Sequence, residues 1–182
     1  SDWSSDVCSS DLFSENIHRI CHEVQKKVKE VIGLETSIGI GSWVRSPYEL
    51  IYSYRLAAKA IDYRYLLGGN LLFDMEEKKT DNSIFLINDL ETLTEAIKSG
   101  DRRLMEETLG QIETEIKSAL VEKSYACIYL QQVIRAIGNT CQSLSEEPEK
   151  IIAQREALLK AVTEQRMFSQ AAALVEKYAQ EV

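Results

Sequence analysis

Apolar residues recur at helical spacing near the beginning of the chain, between Ser14 and Gly33. The apolar positions are Ile17, Ile20, Cys21, Val24, Val28 and Val31. The positions between them are charged or carry an amide, and include Gln25, Lys26, Lys27, Lys29 and Glu30. This period of three to four residues predicts an amphipathic helix. Ser14 is expected to be its N-cap, and Gly33 is expected to end it.

The spacing then changes to a period of two in the segment ETSIGIGSW. The alternating positions are Thr36, Ile38 and Ile40 on one side and Ser37, Gly39 and Gly41 on the other. Alternation of this kind predicts a β-strand. Because glycine has no side chain, we expect Gly39 and Gly41 to let another part of the protein approach the strand closely.

A second helix is predicted to begin at Ser46. Ser46 is a suitable N-cap, Pro47 fits the first helical position, and Glu49 can complete a capping box. The sequence Gly-Gly-Asn at 68–70 is expected to end this helix in a turn, which leads to a short strand at 71–73. The first part of the chain therefore predicts the order helix, strand, helix, strand.

The second part of the chain predicts helices only. Residues 76–83 are charged and polar, which is typical of a linker. Helical spacing resumes after Asn88 and continues to the end, with a break predicted at Gly100 and Asp101. We therefore predict an all-α bundle at 84–182, and the fold class is α+β followed by this bundle.

The first twelve residues, SDWSSDVCSSDL, fit neither period. They resemble the translation of a common short-read sequencing adapter, so residues 1–12 are expected to be an artefact and disordered. The 182 residues carry a formal charge of −8, and leaving out Asp2, Asp6 and Asp11 changes it to −5. A mildly acidic chain without a basic run is not typical of nucleic-acid binding.

The cysteines and the hydropathy indicate where the protein functions. Apart from Cys8, the chain has Cys21, Cys127 and Cys141, without CxxC spacing. This odd number favours a reduced, cytoplasmic setting. No apolar run reaches the length of a membrane span, so no membrane partner is predicted.

The first strand and the helix after it resemble diguanylate-cyclase-type (GGDEF) domains. The segment TSIGI at 36–40 is similar to the T-x-SIG-x-A strand motif of that family. Ala57, Ala60, Ile61, Gly68 and Asn70 match the family's next helix and turn, whereas Ala58, Asp62, Tyr65 and Gly69 depart from it. The resemblance implies that residues 13–75 are a truncated, ferredoxin-like half domain of this type. The predicted site residues are therefore packing residues, namely Ile38, Ile40, Ala57, Ala60, Ile61, Gly68 and Asn70.

A more specific resemblance is to the degenerate cyclase-like region of AraC-type response regulators. The segments SYRLAAKAIDYRYLLGGN and DLETLTEAIKSGDRRLMEETL are similar to the corresponding helix and following helical segment of those proteins. The resemblance implies a non-enzymatic regulatory and dimerisation region that forms a homodimer. It also implies that DNA is bound only through a missing C-terminal domain, and that a histidine kinase acts through a missing receiver domain.

No catalytic, cofactor-binding or metal-binding residue is predicted. The chain has no GGDEF or GGEEF sequence, and the family's catalytic groups would precede these residues. His18, Cys21 and His22 have helical spacing and ligand-type side chains, but a fourth ligand is not evident. We therefore expect Cys21 to pack inward and both histidines to lie at the margin of the helix.

Five aromatic residues lie around the second predicted helix, and more than one function is compatible with them. They are Trp43, Tyr48, Tyr52, Tyr63 and Tyr65. We interpret these residues as contacts of a helix that packs on a sheet and against a partner subunit. The alternatives are a small-molecule or nucleotide-binding sensor domain with an aromatic pocket, and a fragment of a degenerate diguanylate cyclase.

Overall fold

The computed structural model describes residues 4–74 and 87–181, with side chains at 15–74 and 88–181. Contacts divide the chain into two compact units. The first, called here the sheet unit, comprises Ser1–Arg64 and Gly68–Lys79. The second, called the helical unit, comprises Tyr65–Leu67 and Thr80–Val182. The predicted linker at 76–83 lies outside the described residues.

The sheet unit contains two helices and a small parallel sheet. In chain order its elements are α1 (Ser4–Ile32), β1 (Ile38–Ile40), a 3-10 turn (Pro47–Glu49), α2 (Leu50–Asp62) and β2 (Leu72–Asp74). A short helix, α3 (Arg64–Leu67), lies between α2 and β2, and its last three residues belong to the helical unit. The predicted order of helix, strand, helix and strand is confirmed in this region.

The two strands pair in parallel, as strands connected through a helix normally do. Ile38 is opposite Leu72, Gly39 opposite Phe73, and Ile40 opposite Asp74. A predominantly helical chain with one small sheet agrees with the α+β class that the sequence predicts.

The first helix is longer than predicted. It begins at Ser4, so the predicted start at Ser14 is wrong, and residues 4–12 are helical instead of disordered. Because residues 4–13 contain neither glycine nor proline, nothing in their backbone prevents α1 from extending through them. The adapter origin of residues 1–12 concerns the sequence itself and stays a prediction.

Between residues 87 and 181, the helical unit has five longer helices. They are α4 (Ile87–Ser99), α5 (Arg102–Ser118), α6 (Lys123–Leu144), α7 (Pro148–Glu164) and α8 (Phe168–Glu181). The predicted break between α4 and α5 is confirmed. Gly100 has a φ of 69°, and the Asp101 carboxylate accepts a hydrogen bond of 3.0 Å from the Leu104 N–H. Asp101 therefore caps α5, as its position after a glycine predicts.

Helix α6 is central to the helical unit because it contacts α4, α7 and α8. The large side chains of the core are almost completely buried, and include Leu93, Ile112, Ile116, Ile134, Ile137, Val162 and Phe168. These residues come from α4 to α8, so all five helices contribute to one core.

Candidate functional site

The glycines of the first strand provide a close contact with α2. A Cβ atom at Gly39 would overlap the carbonyl oxygen of Ala57 and lie 2.9 Å from Cγ1 of Ile61. A Cβ atom at Gly41 would overlap the carbonyl oxygen of Ser53. The expected close approach is confirmed, and we call Gly39, Gly41, Ser53, Ala57 and Ile61 the glycine contact. Only glycine permits this helix-to-strand distance at residues 39 and 41.

The predicted packing residues do not all belong to this contact. Side chains alternate between the two faces of a strand, so Ile38 and Ile40 point away from the face on which Gly39 meets α2. Both isoleucines are half-buried. The sequence analysis predicts them as packing residues without naming the element that they meet. The structure shows that the glycine side of β1 faces α2.

The aromatic part of the sheet-unit core lies beside the glycine contact. Phe73 is opposite Gly39 in the parallel register, so it shares the face that α2 covers. The Phe73 and Tyr63 rings stack with centroids 4.8 Å apart. Ala60 is 1% exposed, in agreement with its prediction as a packing residue, whereas Ile61 is 42% exposed.

Gln25 makes a buried connection between α1 and both strands. Its Nε2 donates hydrogen bonds to the Thr36 carbonyl, at 2.7 Å, and to the Leu71 carbonyl, at 3.2 Å. These carbonyls lie just before β1 and β2. Sequence reasoning missed this role because it placed Gln25 on the polar side of α1. The available signal was helical spacing, since Cys21, Gln25 and Val28 follow one face.

The possible metal ligands of α1 are not brought together. Nε2 of His18 lies 3.4 Å from Oδ2 of Asp74, which makes an ion pair when the histidine is protonated. His22 is exposed and Cys21 is half-buried, and burial raises the pKa of the Cys21 thiol. Within the described residues, no group of three His, Cys, Asp or Glu side chains could hold a metal ion.

The turn between α3 and β2 adopts the backbone conformation that its glycine and asparagine favour. Gly68 has a φ of 97°, and its N–H donates to the Arg64 carbonyl at 3.0 Å. Asn70 has a φ of 59°, in the left-handed region that asparagine tolerates. The turn at 68–70 thus ends α3 and directs the chain into β2.

A buried tyrosine from α3 is anchored in the helical unit. The Tyr65 hydroxyl lies 3.6 Å from the Cys127 sulfur, and either atom can donate the hydrogen bond. The Tyr65 ring meets Phe168 edge to face, with centroids 6.1 Å apart. Nζ of Lys123 lies 5.0 Å from the centre of the Tyr65 ring, within cation–π range. We call Tyr65, Cys127, Lys123 and Phe168 the tyrosine anchor.

The tyrosine anchor contains a buried hydroxyl group, that of Tyr65. Burial, together with the neighbouring Cys127, raises the pKa of Tyr65 well above its ordinary value of about 10. The hydroxyl therefore stays protonated at neutral pH. Lys123 is held by a 3.0 Å hydrogen bond from its Nζ to the Gln165 carbonyl, in the turn after α7. Sequence reasoning missed this anchor because it placed Tyr65 only in the aromatic group around α2.

The five aromatic residues around α2 do not form one pocket. Trp43, Tyr48 and Tyr52 are exposed, whereas Tyr63 is buried in the sheet unit and Tyr65 in the helical unit. The alternative of a sensor domain with an aromatic pocket stays a prediction.

An open cleft of about 270 Å³ lies between α5 and α8, and it is lined by Met105, Glu106, Leu109, Glu176 and Gln180. Its size is slightly below the range of about 300–1,000 Å³ that is usual for small-molecule sites. Gln180 donates a long hydrogen bond of 3.4 Å to Glu106 across the cleft.

In the residues that the structure describes, no helix is long and apolar enough to cross a membrane.

Comparison with known proteins found no relative of this chain. No family model matches the chain, and no curated protein or solved structure is significantly similar to it. Function is therefore argued from the residues of this chain and their placement.

Proposed function

We propose that the chain is a non-enzymatic regulatory and dimerisation region of a cytoplasmic, bacterial AraC-type response regulator. In this proposal the receiver and DNA-binding domains of the regulator belong to other parts of the protein. The TSIGI segment at 36–40 supports the proposal, because it supplies β1 and the glycine contact of a strand–helix–strand unit. Residues 13–75 are accordingly proposed to be a truncated, degenerate cyclase-like half domain.

The observation that carries the proposal is the tyrosine anchor. The chain leaves the sheet unit after Arg64, contributes Tyr65–Leu67 to the helical unit, and returns to the sheet unit at Gly68. Tyr65 and Leu66 are only 5% and 4% exposed. Helix α2 ends two residues before Arg64, so only a very short stretch of backbone separates α2 from the anchor.

A connection of this kind suits a protein that transmits packing changes. Phosphorylation of the receiver would alter the packing of the sheet unit, and the anchor would pass the change to the helices that precede the DNA-binding domain. The groups at the glycine contact are backbone carbonyls, small residues and aliphatic carbons. These groups set the distance between α2 and β1.

The proposal is tested in the full-length protein. The complete coding sequence is expected to encode a receiver domain upstream and a pair of helix-turn-helix units downstream. Tyr65→Ala in that protein is expected to abolish the transcriptional response to phosphorylation, while operator binding by the DNA-binding domain persists. Tyr125→Ala is the matched control, because Tyr125 is 55% exposed on α6.

Three outcomes would overturn the proposal. A complete GGDEF motif upstream would favour the cyclase alternative. An unchanged transcriptional response in the Tyr65→Ala protein would show that the anchor does not transmit the signal. Thermal stabilisation by GTP with Mg²⁺, or by a cyclic dinucleotide, would favour the nucleotide-binding sensor, since a ligand at 100 times its Kd stabilises a protein by about 2.7 kcal/mol.

A further inference from the structure

The first turn of helix α8 is held tightly in the core of the helical unit. Phe168, the first residue of the helix, and Ala171 are both completely buried. Phe168 also belongs to the tyrosine anchor, where its ring meets Tyr65 edge to face. Because a completely buried aromatic ring is among the largest packing contributions in a core, the beginning of α8 has a fixed position.

The second half of α8 buries a hydroxyl group that has no hydrogen-bond partner among the described residues. This hydroxyl is that of Tyr178, a residue that is 5% exposed. It lies where three helices meet, because a Cβ atom at Gly138 of α6 would be 2.9 Å from the Tyr178 oxygen and 2.7 Å from Cδ of Arg155 on α7. A buried hydroxyl without a partner has lost its hydrogen bonds to water, so it destabilises the arrangement that buries it.

The Tyr178 hydroxyl is separated from the protein surface by a single side chain, that of Arg155. The guanidinium of Arg155 donates a hydrogen bond of 2.6 Å to Oδ1 of Asn139, and it lies 3.3 Å from Oε1 of Glu156. Asn139 and Glu156 are both exposed, so the guanidinium is at the surface while the aliphatic part of Arg155 lies beside the tyrosine. A small displacement of α8 away from α7 would therefore let water reach the hydroxyl.

The opposite side of α8 has room for such a displacement. Glu176 and Gln180 lie two residues before and after Tyr178, which places them about 200° around the helix from it. These two residues line the cleft of about 270 Å³ between α8 and α5, together with Met105 and Leu109 of α5. The cleft and the buried hydroxyl are thus on opposite sides of the same half of α8.

The contact across the cleft does little to hold α8 in place. The hydrogen bond from Gln180 to Glu106 is long, at 3.4 Å, and it joins two exposed side chains. A movement of the second half of α8 toward α5 would close the cleft and, at the same time, open the junction with α7.

We infer that the second half of α8 is a conformational switch with two positions. In the position that the structure shows, Tyr178 is buried against α6 and α7, and the cleft is open. In the other position α8 turns about Phe168 toward α5, which closes the cleft and gives the Tyr178 hydroxyl access to water. This inference concerns the helical unit alone and does not depend on the proposed function.

The test is methyl relaxation dispersion by NMR spectroscopy on the full chain. This measurement detects exchange between two positions on the microsecond-to-millisecond timescale. Met105, Leu109 and Val175 are the reporters, because they line the cleft or the apolar space next to it. We expect exchange at the methyl groups of all three residues and none at Leu93, a completely buried residue of α4.

The variant Tyr178→Phe removes the hydroxyl group that favours the second position. The population of that position is expected to fall at least about fivefold, the factor that corresponds to the smallest usual cost of a buried polar group without a partner. Tyr125→Phe is the matched control, since Tyr125 is 55% exposed on α6 and its hydroxyl is already in water. The control should leave the population unchanged.

Three results would overturn the inference. Flat dispersion profiles at all three reporters in the parent chain would show that α8 has a single position. Exchange confined to the backbone amides at the end of α8, without the Met105 methyl group of α5, would indicate fraying of the last turn. An unchanged population in Tyr178→Phe would show that the buried hydroxyl does not favour the movement.

Discussion

The sheet unit and the helical unit differ in how much of their apolar surface they bury. In the helical unit every helix contributes to a continuous core, and Phe168 and Ile134 are completely buried. In the sheet unit the buried apolar side chains, among the residues described, are those of Ala60, Tyr63 and Phe73. Many other large apolar residues of the sheet unit are largely exposed, including Ile20, Val24, Val31, Trp43, Tyr48, Ile51, Tyr52 and Tyr54.

The difference follows from the size of the layers. A sheet of two three-residue strands offers little area against which α1 and α2 can pack, because strands rise only about 3.3 Å per residue. The sheet unit therefore depends on a few close contacts, namely the glycine contact and the Gln25 hydrogen bonds. The stability of the helical unit depends instead on the large apolar side chains buried in its core. The two units should consequently be sensitive to different kinds of substitution.

The largest effect is expected from Phe168→Ala in the helical unit. This substitution removes a completely buried ring and its contact with Tyr65, so it should lower the free energy of unfolding by about 3–5 kcal/mol. Urea unfolding followed by far-UV circular dichroism measures the change, since the helices dominate that signal. Leu144→Ala, at a residue that is 59% exposed, should change stability by less than about 0.5 kcal/mol. Equal effects of the two variants would contradict the core described here.

A smaller effect is expected from Gly39→Ala in the sheet unit. The added methyl group would overlap the Ala57 carbonyl, a backbone atom that cannot rotate away, so α2 must shift from β1. We expect a loss of about 1–3 kcal/mol, typical of overpacking. Hydrogen exchange of the Ile38 N–H, which donates to the Leu71 carbonyl at 2.8 Å, should become faster.

Gly110→Ala is the matched control for this variant. A Cβ atom at Gly110 meets nothing within 4 Å, and the residue lies within α5. Because alanine favours a helix more than glycine does, the control should stabilise the protein by up to about 1 kcal/mol. If both substitutions had the same sign, steric fit at β1 would not be what holds α2 in place.

The next effect concerns the hydrogen bonds by which Gln25 connects α1 to both strands. Gln25→Leu removes both hydrogen bonds from the side chain and leaves the Thr36 carbonyl without this donor, so a loss of about 1–2 kcal/mol is expected. Urea unfolding of the variant measures it. Gln132→Leu, at an exposed position of α6, is the control and should be nearly neutral. A neutral Gln25→Leu variant would mean that these two hydrogen bonds do not stabilise the attachment of α1 to the strands.

The same difference between the units explains how far the sequence predicts the fold. In the helical unit, spacing and caps are local signals, so the break at Gly100 and the cap at Asp101 are predicted correctly. In the sheet unit, Gly39 and Gly41 are recognised as positions of close approach. The face on which they lie depends on strand register and on the placement of α2, so the sequence alone does not tell which side of β1 meets the helix.

The candidate site is only partly predictable for a related reason. Gln25 has no apolar character that would mark it as buried, and its partners are backbone carbonyls 11 and 46 residues away. Tyr65 has a partner, Cys127, that is 62 residues away. The spacing of apolar residues along the chain gives no information about contacts between residues that are so far apart. Ser14 is chosen as a helix start because of its residue type, although the helix is already formed ten residues earlier.

The smallest effects are expected from the two buried tyrosines of the helical unit. The Tyr65 hydroxyl has Cys127 as its partner, whereas the Tyr178 hydroxyl has no hydrogen-bond partner among the described residues. At pH 8, Tyr65→Phe should cost less than about 1 kcal/mol, because a bond to sulfur at 3.6 Å is weak. Tyr178→Phe should be neutral or slightly stabilising, since it removes a buried polar group that lacks a partner.

The stability of Tyr65→Phe and that of the parent are expected to respond differently to alkaline pH. Burial raises the pKa of Tyr65 in the folded protein, so the folded state keeps this proton at a pH at which the unfolded state loses it. The stabilisation is complete below the unfolded pKa of about 10 and is lost as pH rises above it, by up to about 1.4 kcal/mol per pH unit. Urea midpoints between pH 8 and pH 11 should therefore fall less steeply for Tyr65→Phe than for the parent. Identical slopes would show that Tyr65 ionises in the folded helical unit as readily as in the unfolded chain, and would contradict its burial in the tyrosine anchor.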